Sequence, residues 1–260
     1  MPRHRSLNPL TALYNSTADL FERATLAVLR RGRLPRHVAF ILDGNRRFAR
    51  KFGAASTKFG HYEGFRQLER VLELCMQLNV ETVTVYAFSI ENFKRTKDEI
   101  DYLMQLFREA ALVDEYEIQV RFLGNLDHLP KDVAELARDV MKRTKHNKKR
   151  VFNICCPYTS RDEMKEAIKT NVQMVQQGEK AIEEITEESL QDHLFTADCP
   201  PVDILVRTSG EIRLSDFLLW QTCKNCHVQF VNCFWPEFSL WQFLPILLEY
   251  QIYEGQDMVS

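Results

Sequence analysis

The stretch "HVAFILDGNRRFARK", residues 37–51, decides the fold. Val38 to Leu42 is an unbroken apolar run, short enough to be a buried strand. It ends abruptly on Asp43, then Gly44, Asn45, Arg46 and Arg47. Similar runs recur at 82–88 ("TVTVYAF"), 118–123 ("IQVRFL"), 150–156 ("RVFNICC"), 203–207 ("DILVR") and 227–232 ("HVQFVN"). Most are apolar on both faces, as strands of a covered parallel sheet are.

Helical patterns lie between these runs. "GFRQLERVLELCMQL" (64–78) places Phe65, Leu68, Leu72 and Cys75 on one face. Thr96 with Glu99 forms a capping box before a helix over 97–112, and Ser160 with Glu163 repeats that signal. Pro130 suits the first turn of a helix through Val140. The alternation predicts one α/β domain over 35–260, with a mainly parallel six-stranded sheet flanked by helices.

The chain has 260 residues, 45% of them hydrophobic, enough to bury a sizeable core. Its net charge of −2 provides no global field to recruit nucleic acid. No apolar run approaches the ~18 residues of a membrane span. The opening "MPRHRSLNPL" lacks the apolar segment and cleavage site of a secretory leader. Seven irregularly spaced cysteines favour reduced thiols in a cytosolic setting. Residues 1–34 form a separate amphipathic arm, with Leu10, Leu13, Tyr14, Leu20, Phe21, Ala24 and Leu29 at mostly helical spacing and arginines at its end. Such an arm can lie on an anionic membrane surface or pack on its own domain or a partner.

In open parallel sheets, ligands bind beyond the carboxyl ends of the strands. After the first strand, Gly44 permits a tight turn and the amides that follow open a helix, whose N-terminus favours phosphate. Arg46 and Arg47 add forked donors. Asp43 would repel phosphate unless Mg²⁺ lies between them. After the second strand come Ser89, Glu91, Asn92 and Arg95. After the fifth, "RTSGEIRLSDF" offers Arg207, Arg213 and Ser215, and Ser209 with Gly210 could form an anion-binding nest. Three such strand ends point to a site for two diphosphates. A phosphatase or phosphoryl transferase would use the same chemistry. "CKNCH" (223–227) has the form of a haem attachment site, or half of a zinc site. "KRTKHNKKR" (142–150) is a basic run without interleaved aromatics.

Four stretches, "HVAFILDGNRRFARK", "GHYEGF", "VYAFSIENFKR" and "DILVRTSGEIRLSDFLLWQ", resemble the signatures of the cis-prenyltransferases, in the family's order. The match runs from about Pro35 to about Trp241. "DGNRR" is similar to the form in the eukaryotic dehydrodolichyl diphosphate synthase branch. The resemblance implies repeated condensation of isopentenyl diphosphate onto an allylic primer such as farnesyl diphosphate, serving dolichol synthesis and protein glycosylation. It implies that Asp43 positions Mg²⁺, while Gly44, Asn45, Arg46, Arg47, Phe48 and His61 hold the allylic diphosphate. Arg207, Arg213 and Ser215 would hold isopentenyl diphosphate. Phe88, Ser89, Asn92 and Arg95 would flank the reacting carbons, with Asn92 and Asp43 as the suggested route for the lost proton.

Several positions depart from the family pattern. Thr57 and Lys58 stand where an arginine is frequent before the histidine of "GH". Cys226 stands where homodimeric bacterial members carry a second Mg²⁺-binding glutamate, and "QIYEGQDMVS" holds no "RxG" motif. These departures imply a catalytic subunit that works with a homologous, catalytically dead subunit supplying the RxG tail. Phe230, Phe234, Trp235, Phe238 and Trp241 would form the interface core, at the cytoplasmic face of the endoplasmic reticulum membrane.

Overall fold

The opening stretch becomes the central strand. β1 (His37–Ile41) pairs in parallel with β2 (Thr82–Tyr86) on one side and β5 (Ile204–Arg207) on the other. β4 (Arg150–Cys155) and then β3 (Ile118–Leu123) lie beyond β2, and β6 (His227–Phe230) lies beyond β5. The sheet order is β3-β4-β2-β1-β5-β6, with every pairing parallel. This is a computed structural model, describing residues 20–54, 56–86 and 116–256. Residues 1–19, the end of the second predicted strand, the Thr96 cap and the helix predicted over 97–112 lie outside the described residues.

Alternate residues of β1 enter different cores. Val38 and Phe40 join the larger cluster with Leu68, Val71, Trp235 and Phe243, whereas Ala39 and Ile41 join Tyr86, Leu205, Tyr158 and Phe217. Burial on both faces explains the unbroken apolar run. A polar network shares the second face: His37 Nε2 lies 2.7 Å from Thr84 Oγ1, which also accepts from Asn153 Nδ2 at 3.0 Å. Burial pushes the His37 imidazole down to about 4, so it packs as a neutral ring.

Helices α1 (20–29), α2 (Asn45–Lys51), α3 (Lys58–Gln77), α4 (Lys131–Thr144), α5 (Ser160–Gln176), α6 (Glu187–Gln191) and α7 (Leu240–Gln256) complete the described elements. α3 starts six residues before the pattern read at 64–78 because two glycines carry its first turns against α2. A Cβ on Gly60 would lie 1.9 Å from Asn45 O, and one on Gly64 would lie 2.2 Å from Asn45 Oδ1. The small residues of "GHYEGF" therefore set the approach of the two helices.

Two sequence expectations need correction. Ser160 and Glu163 do not cap α5: Thr159 is the N-cap and accepts from Asp162 N. Ser160 Oγ accepts from Leu219 N at 3.0 Å, while buried Glu163 accepts from Tyr158 OH, Gln221 Nε2 and Phe195 N. Tertiary partners have claimed both side chains. In α1, Leu29 of the predicted stripe is buried, but it is joined in the core by Leu26, which the stripe omitted, whereas Leu20 and Phe21 are exposed and Phe21 stacks on Trp241 at the surface. Arg30 donates to Gln77 O at 2.7 Å and Gln251 Nε2 donates to Leu29 O at 2.8 Å, docking this part of the arm on the domain.

Candidate active site

The chain leaves β1 through Leu42 and turns at Gly44, whose φ of 103° is left-handed. Glycine is required there twice over, because a Cβ would lie 2.1 Å from Ser209 Oγ and 2.8 Å from the Phe234 ring. Asp43 is held by its backbone: its N–H donates to Ile41 O and to Thr208 Oγ1, and its carbonyl accepts from Thr208 Oγ1 at 2.8 Å and Trp235 N at 3.0 Å. Trp235 Nε1 also donates to Gly64 O at 2.6 Å, joining the Asp43 turn to α3. These contacts leave the Asp43 carboxylate directed toward two arginines, one on β5 and one on α2.

Arg207 ends β5 beside it. Its side chain is only 4% exposed, with Nη2 3.1 Å from Asp43 Oδ2 and Nη1 2.8 Å from Ser215 Oγ. Arg207 Nη1 also donates to Arg213 O. On α2, one turn after Asp43, Arg47 reaches Asp43 Oδ1 at 3.2 Å and Glu211 Oε1 at 3.0 Å. Glu211 accepts from Arg213 as well. Burial would raise the Asp43 carboxyl, but Arg207 and Arg47 together outweigh it and hold the group below its ordinary value. Arg213, helped by Arg47, holds the Glu211 carboxyl down in the same way.

A cleft of about 330 Å³ opens over this chain of ion pairs, lined by Asp43, Gly44, Asn45, Arg46, Arg47, Arg50, His61, Glu211 and Arg213, with Leu42 at its base. The structure thus gathers Asp43 to Arg47, His61 and Arg213 around one space. Arg207 and Ser215 stand immediately behind, and Phe48 is buried beneath, against Phe52 and Phe59. Phe88, Ser89, Asn92 and Arg95 lie outside the described residues. Lys58 opens α3 and does not line the cleft. Ser209 and Gly210 are left-handed, but their amides donate to Cys233 O and Val231 O, so they offer no anion nest. Asn45 Oδ1, Ser209 Oγ and Arg207 Nε are buried without a hydrogen-bond partner among the described residues. Such atoms are costly unless a ligand or water satisfies them.

Residues 41–256 match the family model described as putative undecaprenyl diphosphate synthase. The chain belongs to the cis-prenyltransferase (undecaprenyl diphosphate synthase) family. A dehydrodolichyl diphosphate synthase complex subunit of Schizosaccharomyces pombe is 42% identical over 91% of this chain and 92% of its own length. The Homo sapiens complex subunit is 43% identical over 90% of this chain and 72% of its own. Crystallised lavandulyl diphosphate synthase from Lavandula x intermedia, in complex with dimethylallyl diphosphate, superposes with a TM-score of 0.77. It is 29% identical and covers 84% of this chain and 95% of that one. The chain is thus a cis-prenyltransferase, and its reaction is cis-prenyl diphosphate chain elongation.

Three features of this cis-prenyltransferase were missed in the sequence. Arg50 shares a face of α2 with Arg47 and Arg46, a helical spacing that was available to be read. Glu211 sits between two motif arginines, where its charge gave no sign that it would tie Arg47 to Arg213. Trp235 braces Asp43 from a 192-residue distance that no local pattern reveals. Trp235 and Phe238 are fully buried in the domain's own core, so they cannot belong to an interface; Phe230 and Trp241 are exposed. Cys226 precedes β6, whose first residue pairs with Ile204 at the opposite end of β5 from Arg207. Within one chain it therefore lies away from Asp43, not in the same diphosphate site. Burial pushes its thiol up to about 12, so it packs as a protonated thiol.

Among the described residues no three His, Cys, Asp or Glu side chains form a metal cluster. Asp43 is ionised, faces the arginine-lined cleft and is part-exposed. One carboxylate plus substrate phosphate oxygens and waters is an ordinary Mg²⁺ arrangement, and the residues fit it.

Proposed function

We propose that this chain is the catalytic subunit of a dehydrodolichyl diphosphate synthase, elongating a farnesyl-type primer with successive isopentenyl units for dolichol synthesis and protein glycosylation. The observation that carries the reading is the Asp43–Arg207–Ser215 and Arg47–Glu211–Arg213 arrangement around one cleft beyond β1 and β5. Gly44, Asn45, Arg46, Arg47 and His61 take the allylic diphosphate, over the buried Phe48 ring that supports them. Arg207, Arg213 and Ser215 take isopentenyl diphosphate. Asp43 would hold Mg²⁺, which supplies Lewis-acid stabilisation of diphosphate charge.

In the reaction, the allylic carbon–oxygen bond breaks, the isopentenyl double bond forms the new carbon–carbon bond, and a proton leaves the isopentenyl unit. The arginines stabilise negative charge growing on the departing diphosphate, and fixed positions for both substrates supply much of the remaining acceleration. Asp43 is a poor base while two guanidiniums hold its pKa down, which favours an electrostatic role over proton abstraction. By the resemblance, Asn92 and Ser89, which lie outside the described residues, would act beside the reacting carbons. The apolar face of α3 is suited to the path of the growing hydrocarbon.

The named relatives are subunits of complexes, which supports a homologous, catalytically dead partner whose RxG tail completes the site. No helix among the described residues is long and apolar enough to cross a membrane. That is compatible with peripheral contact at the endoplasmic reticulum through the arginine-ended arm. The test is kinetic, on the full chain with its partner. Mg²⁺ removal should abolish elongation, and Arg46→Ala should raise KM for the primer more than for isopentenyl diphosphate. Metal-independent elongation, or the reverse KM pattern, would contradict the assignment.

A further inference from the structure

The loop that carries Ser215 is held in a conformation that its sequence does not favour. Ser215, Asp216 and Leu218 have φ values of 52°, 60° and 46°, three left-handed non-glycine residues within four positions. Such a backbone persists only where surrounding contacts determine it. Here the contacts come from the start of α5 and from β2. Ser160 N donates to Asp216 O at 2.7 Å, and Arg161 donates to the Asp216 carboxylate through its backbone N at 3.2 Å and its Nε at 2.7 Å. Leu219 N donates to Ser160 Oγ at 3.0 Å. Tyr86 OH lies 3.1 Å from Ser215 O and 3.3 Å from Tyr158 O, so its single proton is shared between those carbonyls. The Tyr86 ring stacks on buried Phe217 with centroids 4.7 Å apart.

We infer that Asp216, clamped to the first turn of α5, is a positioning residue for the isopentenyl diphosphate site. It acts through its neighbour Ser215, whose Oγ meets Arg207 Nη1, and it touches neither substrate. The side chain of Asp216 is 15% exposed and lies outside the set that lines the cleft. Its carboxylate therefore fixes the backbone of the loop, and the loop fixes where the Ser215 hydroxyl and Arg207 fork point. Tyr86 sets the same loop from the other side. This rests on the reading that Ser215 and Arg207 hold the isopentenyl diphosphate.

The test compares Asp216→Gly, Asp216→Asn and Ser215→Ala in the full chain with its partner. Glycine relieves the left-handed strain but removes the clamp; asparagine tolerates that conformation and keeps one acceptor for Arg161. KM for isopentenyl diphosphate should rise on the order of tenfold in Asp216→Gly, as loss of a charge-assisted hydrogen bond implies. KM for the primer should stay within about twofold, a difference smaller than one lost hydrogen bond, and Asp216→Asn should recover most of the effect. The clamp is overturned if Asp216→Gly matches the wild type, or if it moves a different substrate's KM from Ser215→Ala. If both variants shift the primer's KM together, the clamp stands and the assignment of the isopentenyl site fails instead.

Discussion

Asp43 and Arg207 meet across the carboxyl ends of two adjacent strands, Oδ2 to Nη2 at 3.1 Å, although 164 positions separate them in the chain. The parallel register that pairs Ile41 with Arg207 makes this meeting unavoidable. Arg207 is nearly buried, so the carboxylate both offsets its charge and presents the remaining charge to the cleft.

Replacing Asp43 should therefore affect more than chemistry. A strand-end carboxylate would ordinarily stabilise little, but here Asp43→Ala leaves a buried guanidinium short of a partner. A loss of about 1–3 kcal/mol is expected in urea unfolding. Turnover should fall by about 10²–10³. An unchanged urea midpoint would show that Arg207 does not depend on Asp43.

Acid titration should separate Asp43 from Glu163. The Asp43 carboxyl is held below its ordinary value, so its stabilisation is full above about pH 4 and is lost as pH falls through the depressed native value. Burial raises Glu163 despite donors from Tyr158, Gln221 and Phe195. Its contribution is full below about pH 4 and is lost as pH rises through the raised native value. Glu163→Gln should flatten the stability slope above that point, and Asp43→Asn the slope below it. Parallel curves for wild type and both variants would refute the assignment.

Packing at α3 gives a third prediction. Gly60→Ala places a methyl group against the Asn45 backbone, so a loss of about 1–3 kcal/mol is expected together with reduced turnover. Gly255→Ala meets nothing within 4 Å in α7 and should be neutral or stabilise by up to about 1 kcal/mol. Equal thermal midpoints for the two variants would contradict the close approach of α2 and α3.

Membrane attachment is tested by a truncation that spares the core. A chain beginning near Leu34 loses Leu26 and Leu29 from the core, so its behaviour would report unfolding as well as anchoring. A chain beginning at Leu20 keeps them. It should stay folded and lose co-sedimentation with anionic liposomes if residues 1–19 supply the anchor. Undiminished binding would place the contact elsewhere.

The strands were legible because most are short runs apolar on both faces, and their ends were correct to within one or two residues wherever described. Asp43, Arg47, Arg207 and Arg213 were legible because a charge at the end of a buried strand has few structural reasons to be there. What failed to show was long-range pairing. Nothing local in "SRDE" reveals that Ser160 and Glu163 serve Leu219 and Phe195 rather than a helix cap. Nothing in "FWPEFSLW" distinguishes buried Trp235, bracing Asp43, from exposed Trp241. The anchoring of the Ser209–Gly210 amides likewise depends on strand β6 and the segment after it.

The most direct measurement is incorporation of labelled isopentenyl diphosphate into organic-extractable product, with Mg²⁺, farnesyl diphosphate and the full chain with its partner. Wild type should give long polyprenyl diphosphate, and Asp43→Ala should give about 10²–10³ less product per unit time. Equal incorporation by the two, or release of inorganic phosphate with no incorporation by either, would contradict a cis-prenyl elongation site at this strand-end cleft.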